Sequence, residues 1–140
     1  MFAPRLDQAS RQRRVLLGLL QEYGRLVGQL LALRELLKGS VYELKTRCGK
    51  PSCHCASRQG PPHSTTVLSW SEAGRTRLRA VCSKDRARWR RLAKDYRHFR
   101  QCRARLVKIH RQVLLAVDRL EKALRRPSPK KKSRSKRRRL

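Results

Sequence analysis

At 140 residues the chain is sized for one domain, or one domain and a tail, and its formal charge of +29 sets 38 lysines and arginines against nine acids. Such a field draws polyanions and opposes self-association, so the partner classes are nucleic acid, an anionic membrane surface or an acidic protein. No run approaches the roughly eighteen apolar residues of a membrane span, and no small-residue cleavage site follows an apolar core.

A cytoplasmic protein without a membrane partner is therefore expected, nucleoid-associated if the source is prokaryotic. Arginine outnumbers lysine by 27 to 11. Its guanidinium bonds phosphate in bidentate fashion, which favours nucleic acid among the polyanions. Five cysteines, an odd number, suggest metal or free thiols more than disulfides in a reducing compartment.

Residues 1–38 read as a first domain segment, with one helix from Leu6 to Lys38. Leu16, Leu19, Tyr23, Leu26, Leu30, Leu33 and Leu37 alternate steps of three and four, the a/d seam of a coiled coil. Leu17, Leu20, Val27, Leu31 and Leu36 widen that stripe beyond a two-helix seam, so a bundle or a homodimer is expected. Gly39-Ser40 then ends the helix.

Residues 39–83 form the second segment. Val41–Thr46 reads as a short extended lead into Arg47-Cys48-Gly49-Lys50-Pro51-Ser52-Cys53-His54-Cys55. Cys48, Cys53, Cys55 and His63, spaced Cys-x4-Cys-x-Cys-x7-His, supply the four thiolate and imidazole groups that Zn²⁺ takes in a tetrahedral set. Gly49 and Pro51 suit the tight turn that would aim them at one point. The competing reading is a reduced thiol cluster packed in a turn. In an extended segment Cys53 and Cys55 would point to opposite faces.

Thr65–Ser71 and Thr76–Cys82 are rich in β-branched and apolar residues around a short connection with Gly74, which predicts a β-hairpin. Arg77 and Arg79 share one face of its second strand, expected to be basic and solvent-facing, while Cys82 reads as a small core residue.

Residues 84–126 read as a basic helix, capped by Ser83 and free of Pro and Gly from Lys84 to Leu124. An apolar position recurs every three or four residues from Trp89 to Leu124, and the aromatics near the start are read as packing rather than as base-stacking. Arg86, Arg90, Lys94 and Arg97 make a ridge opposite that stripe. From Pro127 the chain becomes a basic tail that reads as disordered, with Lys130, Lys131, Lys132, Arg137, Arg138 and Arg139 as candidate phosphate contacts. Removing the ten positive charges from Arg125 onward still leaves +19 of the +29, so the body is itself basic.

The stretch from Leu36 to about Tyr96 resembles a small uncharacterised prokaryotic family, a domain of unknown function with a CGKPxCxC motif. The matching residues are Gly39 and Ser40, Cys48-Gly49-Lys50-Pro51, Cys53, Cys55, His63, Leu68-Ser69-Trp70, Gly74, Thr76, Tyr96 and Phe99. Members look like neighbours of mobile genetic elements, so the resemblance implies an accessory role in transposition or integration and favours DNA over RNA. It brings no catalytic residue.

The expected fold is mainly α, a long antiparallel, coiled-coil-like helical hairpin with a small β-hairpin and cysteine-cluster module between the helices. The expected function is non-enzymatic nucleic-acid binding through Lys50, Arg77, Arg79, Arg86, Arg90, Lys94, Arg97 and the tail. The alternative is a helical adaptor or dimerisation subunit docking on a transposase or recombinase. The acids are scattered, and no Ser-His-Asp, Walker or Rossmann pattern is present, so catalysis is not expected.

Overall fold

The computed structural model describes residues 3–129. Its elements run α1 (Ala3–Ala32), β1 (Ser40–Thr46), β2 (His63–Glu72), β3 (Arg75–Ala80) and α2 (Arg86–Leu124), with short 3-10 turns at His54–Ala56 and Ser83–Asp85. The tail cations Lys130–Lys132 and Arg137–Arg139 lie outside the described residues.

The strands form one antiparallel sheet in the order β1-β2-β3. This corrects the expected fold class. The segment read as a lead-in to the cysteines is a full strand, paired from Ser40↔Ser69 to Thr46↔His63. In place of a helical hairpin carrying a two-stranded module, the described residues hold two helices and a three-stranded sheet, with the cysteines in the strand region. The physical reason is that β1 supplies the edge of β2 with backbone partners, which a two-stranded hairpin would leave unpaired.

The hairpin itself forms as expected between β2 and β3, joined by Ala73-Gly74. Both turn residues have positive φ, 48° and 75°, the combination of a type I′ turn whose twist matches the strands.

The first helix is shorter than its leucine pattern suggests. It ends at Ala32, after which the Leu33 N–H bonds the Leu30 carbonyl at 3.2 Å and the chain continues without helix to Lys38. Leu37 instead donates its N–H to the Leu92 carbonyl of α2 at 3.2 Å, so tertiary packing takes over where local periodicity would have run on. Leu33 and Leu37 thus leave the expected coiled-coil seam, and Tyr23 within it is 46% exposed.

Gly39 marks the entry to the sheet. Its φ of +139° suits glycine, and a Cβ there would stand 2.5 Å from the Ser69 carbonyl oxygen and 2.9 Å from Leu68 Cδ1. Gly39→Ala should therefore cost at least about 2 kcal/mol from strained φ and backbone collision, measured by urea denaturation.

Contacts group the described residues into two compact units, one being Tyr23–Lys108 and the other the residues up to Glu22 together with those from Ile109 onward. In the first, the core holds Leu26, Cys55, Val67, Leu68, Val81, Ala93 and Cys102. In the second, Ala9, Ile109 and Ala116 are buried.

Sheet faces follow strand alternation. Leu68, Arg79 and Glu43 fall on one face, and the start of α2 lies against it: the Arg79 guanidinium sits 5.7 Å over the Trp89 ring, and Arg90 pairs with Glu43 at 3.6 Å. The arginine side of the hairpin was expected in solvent, and Arg77 and Arg79 are exposed. Arg79 also meets α2 there, because a guanidinium over an indole keeps its charge wet while its stem covers apolar surface. Cys82 is exposed, outside β3, rather than in the core, and it, not Ser83, holds the N-cap position of the 3-10 turn Ser83–Asp85, with no side-chain cap bond.

Candidate metal centre

Two tight turns place the cluster. Gly49, at φ +77°, lets the chain reverse after β1, and the Cys53 N–H closes on the Lys50 carbonyl at 3.1 Å. The 3-10 turn His54–Ala56 follows at once, with the Ala56 N–H on the Cys53 carbonyl at 3.0 Å. The cysteines are therefore not on an extended segment, and Cys53 and Cys55 converge. β2 begins at His63, and its pairing with Thr46 brings the imidazole back to the start of the loop.

The four ligand atoms of Cys48, Cys53, Cys55 and His63 all lie within 4.8 Å of one another. Cys48 Sγ is 3.5 Å from Cys55 Sγ, and Cys53 Sγ is 3.2 Å from His63 Nε2. Bonds of about 2.3 Å to sulfur and about 2.0 Å to nitrogen give tetrahedral edges of about 3.8 and 3.5 Å. These two separations lie within about 0.3 Å of those edges, and with all six inside 4.8 Å the set closes on a common ion by shifts of about 1 Å or less.

The surroundings fit a structural ion. Between residues 47 and 62 Cys55 is the single buried side chain, at 1% exposure. A loop of that length without a core needs another cross-link to hold one conformation. The Cys48 backbone N–H approaches Cys55 Sγ at 3.4 Å and, with the Arg47 charge nearby, holds that thiol below the ordinary range against the opposing effect of desolvation. At Cys53 a backbone N–H from Cys55 favours the thiolate. Thiol contacts from Cys55 and Cys48, with partial desolvation, outweigh it and push this group up. Crowded thiols oppose each other's ionisation, and a divalent cation removes the conflict.

Two residues that spacing did not flag complete the loop. Arg47 Nη1 donates to the carbonyls of Cys55, Ser57 at 3.0 Å and Gly60 at 3.3 Å, gathering the loop around one cation. Gly60 passes so close to the 3-10 turn that a Cβ on it would lie 1.7 Å from the His54 carbonyl oxygen. The only prior signal was Arg47's place beside Cys48, which in so basic a chain carries little information. His54 is exposed, its ring centroid 4.9 Å from that of His63.

A family model described as a domain of unknown function, DUF6788, matches residues 7–92. The chain belongs to the DUF6788 family. The match contains all four ligands, the whole sheet and the start of α2. No curated protein and no solved structure matches the chain.

The candidate phosphate contacts of this DUF6788 chain are not equivalent. Arg77 pairs with Glu72 at 3.5 Å, Arg90 with Glu43, and Arg79 covers Trp89. Arg86, Lys94 and Arg97 are exposed on α2 and make no ion pair among the described residues, as is true of Lys50 on the cysteine loop. Lys38 and Arg100, absent from the expected set, belong with them. No described helix is long and apolar enough to cross a membrane.

Proposed function

We propose that the chain is a non-enzymatic nucleic-acid-binding module whose cysteine knuckle is held by Zn²⁺ and whose contact surface is the unpaired cationic side of α2. One observation carries the reading. After the internal ion pairs are formed, Lys38, Arg86, Lys94, Arg97 and Arg100 of the Tyr23–Lys108 unit still lack a carboxylate. Phosphate is the anion that such a surface fits, because neutralising it releases condensed counterions. The zinc contributes structure, and Lys50 adds a cation at the knuckle. An accessory role for DNA in transposition follows only from the resemblance to proteins near mobile elements.

Titration of a short duplex by fluorescence anisotropy at several salt concentrations tests this. Affinity should fall with a log–log slope of about 0.9 per phosphate contacted, and a double Arg97→Gln, Lys94→Gln variant should flatten the slope by about two such contacts. An affinity indifferent to salt removes the electrostatic basis.

A second reading has its own observation. Leu17 and Leu20 of α1 are 61% and 58% exposed, and Leu114, Val117 and Leu124 of α2 are about half exposed at spacings of three and seven. These stripes favour an adaptor role, as a homodimer or on a transposase- or recombinase-type partner. Sedimentation velocity separates the two: a dimer dissociated by Leu114→Glu supports it, whereas a monomer that still binds DNA counts against it.

A further inference from the structure

Within the Tyr23–Lys108 unit, Lys38–Ser40, the ends of β2 and β3 nearest their turn, and the middle of α2 enclose a cleft of about 380 Å³. Three cations line it, Lys38, Arg97 and Arg100, and no carboxylate does. Two half-buried aromatic rings, Trp70 and Tyr96, share the lining, together with hydroxyl side chains that include Ser40, Ser71 and Thr76. These residues come from three separated stretches of the chain, and several are ones that carried the resemblance noted from sequence. Gly39 lies in the lining too, at the position where a side chain would collide with β2.

The neighbouring clefts lack this character. The larger one, of about 560 Å³, contains Glu35 and Asp95 beside Arg34 and Arg91, so its charges are balanced. A third is lined by Leu37, Lys38, Leu68 and the two tryptophans, with Arg79 laid across Trp89, and it has rings and cations but no hydroxyl side chain. Of these three, the first alone combines uncompensated positive charge with ring surface and hydroxyl donors. Its volume falls in the range of about 300–1,000 Å³ typical of small-ligand sites.

We infer that this cleft takes an unpaired nucleotide of a single-stranded nucleic acid, the base against Trp70 and Tyr96 and its phosphate on Arg97, Arg100 and Lys38. The inference rests on the nucleic-acid reading above and sharpens its substrate class. Flat rings bind any base through its π-face, while guanidinium groups follow the backbone, the pairing found in sequence-tolerant single-strand binders. In a duplex the base faces are stacked on one another and closed to Trp70. The unpaired cations Arg86 and Lys94 lie farther toward the start of the same helix, where a continuing strand of phosphates would meet them.

Full-length chain carrying Trp89→Phe makes Trp70 the sole tryptophan, since the sequence holds two. It is titrated with oligothymidylate, with oligouridylate, with a blunt duplex of the same length and with thymidine monophosphate, at low salt. The expected result is strong quenching of Trp70 emission by the single strands and little by the duplex. Arg100→Ala should weaken single-strand binding by at least about tenfold and reduce the preference over duplex. Arg103→Ala, an equal loss of charge on the same helix outside the cleft, should weaken both alike. Tyr96→Ala should act as Arg100→Ala does, and the exposed Arg100 keeps the test available if the tyrosine variant does not fold. Duplex and single strand binding equally, without quenching and with Arg100→Ala matching Arg103→Ala, would overturn the cleft assignment and leave the broader reading standing. Monophosphate binding as tightly as the strand would overturn the strand as ligand. Binding to none of the nucleic acids defeats the broader reading itself.

Discussion

Replacing Cys55 by serine should strip the metal from the knuckle and leave residues 47–62 without a defined conformation. Protein prepared without an affinity-metal step should contain one zinc per chain, and the variant should contain close to none. Cys55 is the sole buried side chain of that loop, and its sulfur lies 3.5 Å from that of Cys48. Serine is nearly isosteric but does not ionise at neutral pH, so it removes a ligand without opening a hole.

Losing an outer-shell partner commonly costs 10–100-fold in metal affinity. Losing a ligand should therefore exceed about 100-fold, as read by competition with a chromophoric chelator. Because binding energy in such sites is also folding energy, chelator treatment of the native chain should expose the loop to protease while helix content, by circular dichroism, stays nearly constant. Cobalt substitution provides a direct check, since a tetrahedral thiolate set gives intense visible and near-ultraviolet bands. Full metal content in Cys55→Ser, or equal protease resistance with and without metal, would show that the four groups are merely close.

Gly60→Ala should be almost as damaging, although it touches no ligand. The added carbon would stand 1.7 Å from the His54 carbonyl oxygen and 2.8 Å from its carbon, and both are backbone atoms that cannot rotate away. Relief requires moving the 3-10 turn that carries Cys55, or moving Gly60 off its bonds. Those bonds run from its N–H to Ser57 Oγ at 2.9 Å and from Arg47 to its carbonyl. Either way the ligand set opens, and zinc affinity should fall about 100-fold or more.

Gly49→Ala is the informative comparison. Nothing lies within 4 Å of its Cβ, so the cost is the strain of a φ of +77°, about 1–2 kcal/mol, or roughly tenfold in affinity. If the two variants bind zinc equally well, the close passage of Gly60 over the turn does not set the geometry of the centre.

That Cys48, Cys53, Cys55 and His63 could meet as a candidate metal site was legible in the sequence, because residue type and short spacing survive without coordinates. The same holds for the existence of the hairpin, read from two β-rich runs around the short Glu72–Arg75 connection, whereas the structure narrows its turn to Ala73-Gly74. The end of α1 was not legible. Leu33 and Leu37 continue the helical rhythm perfectly, and only the bond from Leu37 to Leu92, 55 positions away, shows why the chain leaves it. β1 was missed as a sheet member for a similar reason: an extended segment becomes a strand only when an edge is available to pair with it. Arg47 and Gly60 were invisible because neither composition nor spacing tells which carbonyls a guanidinium will gather or where two backbones pass.

By itself the sequence determined that the chain carries a large excess of positive charge, that four soft and borderline ligands can meet, and that no described helix will be apolar enough for a membrane. Only the tertiary structure decided which cations stay available. Nine acids cannot neutralise 38 bases, so folding chooses the partners, and it does so by proximity in space. Glu35 takes Arg88 and Glu43 takes Arg90, each across more than forty residues, while Arg97, Arg100 and Lys38 are left around a cleft that no local pattern announces.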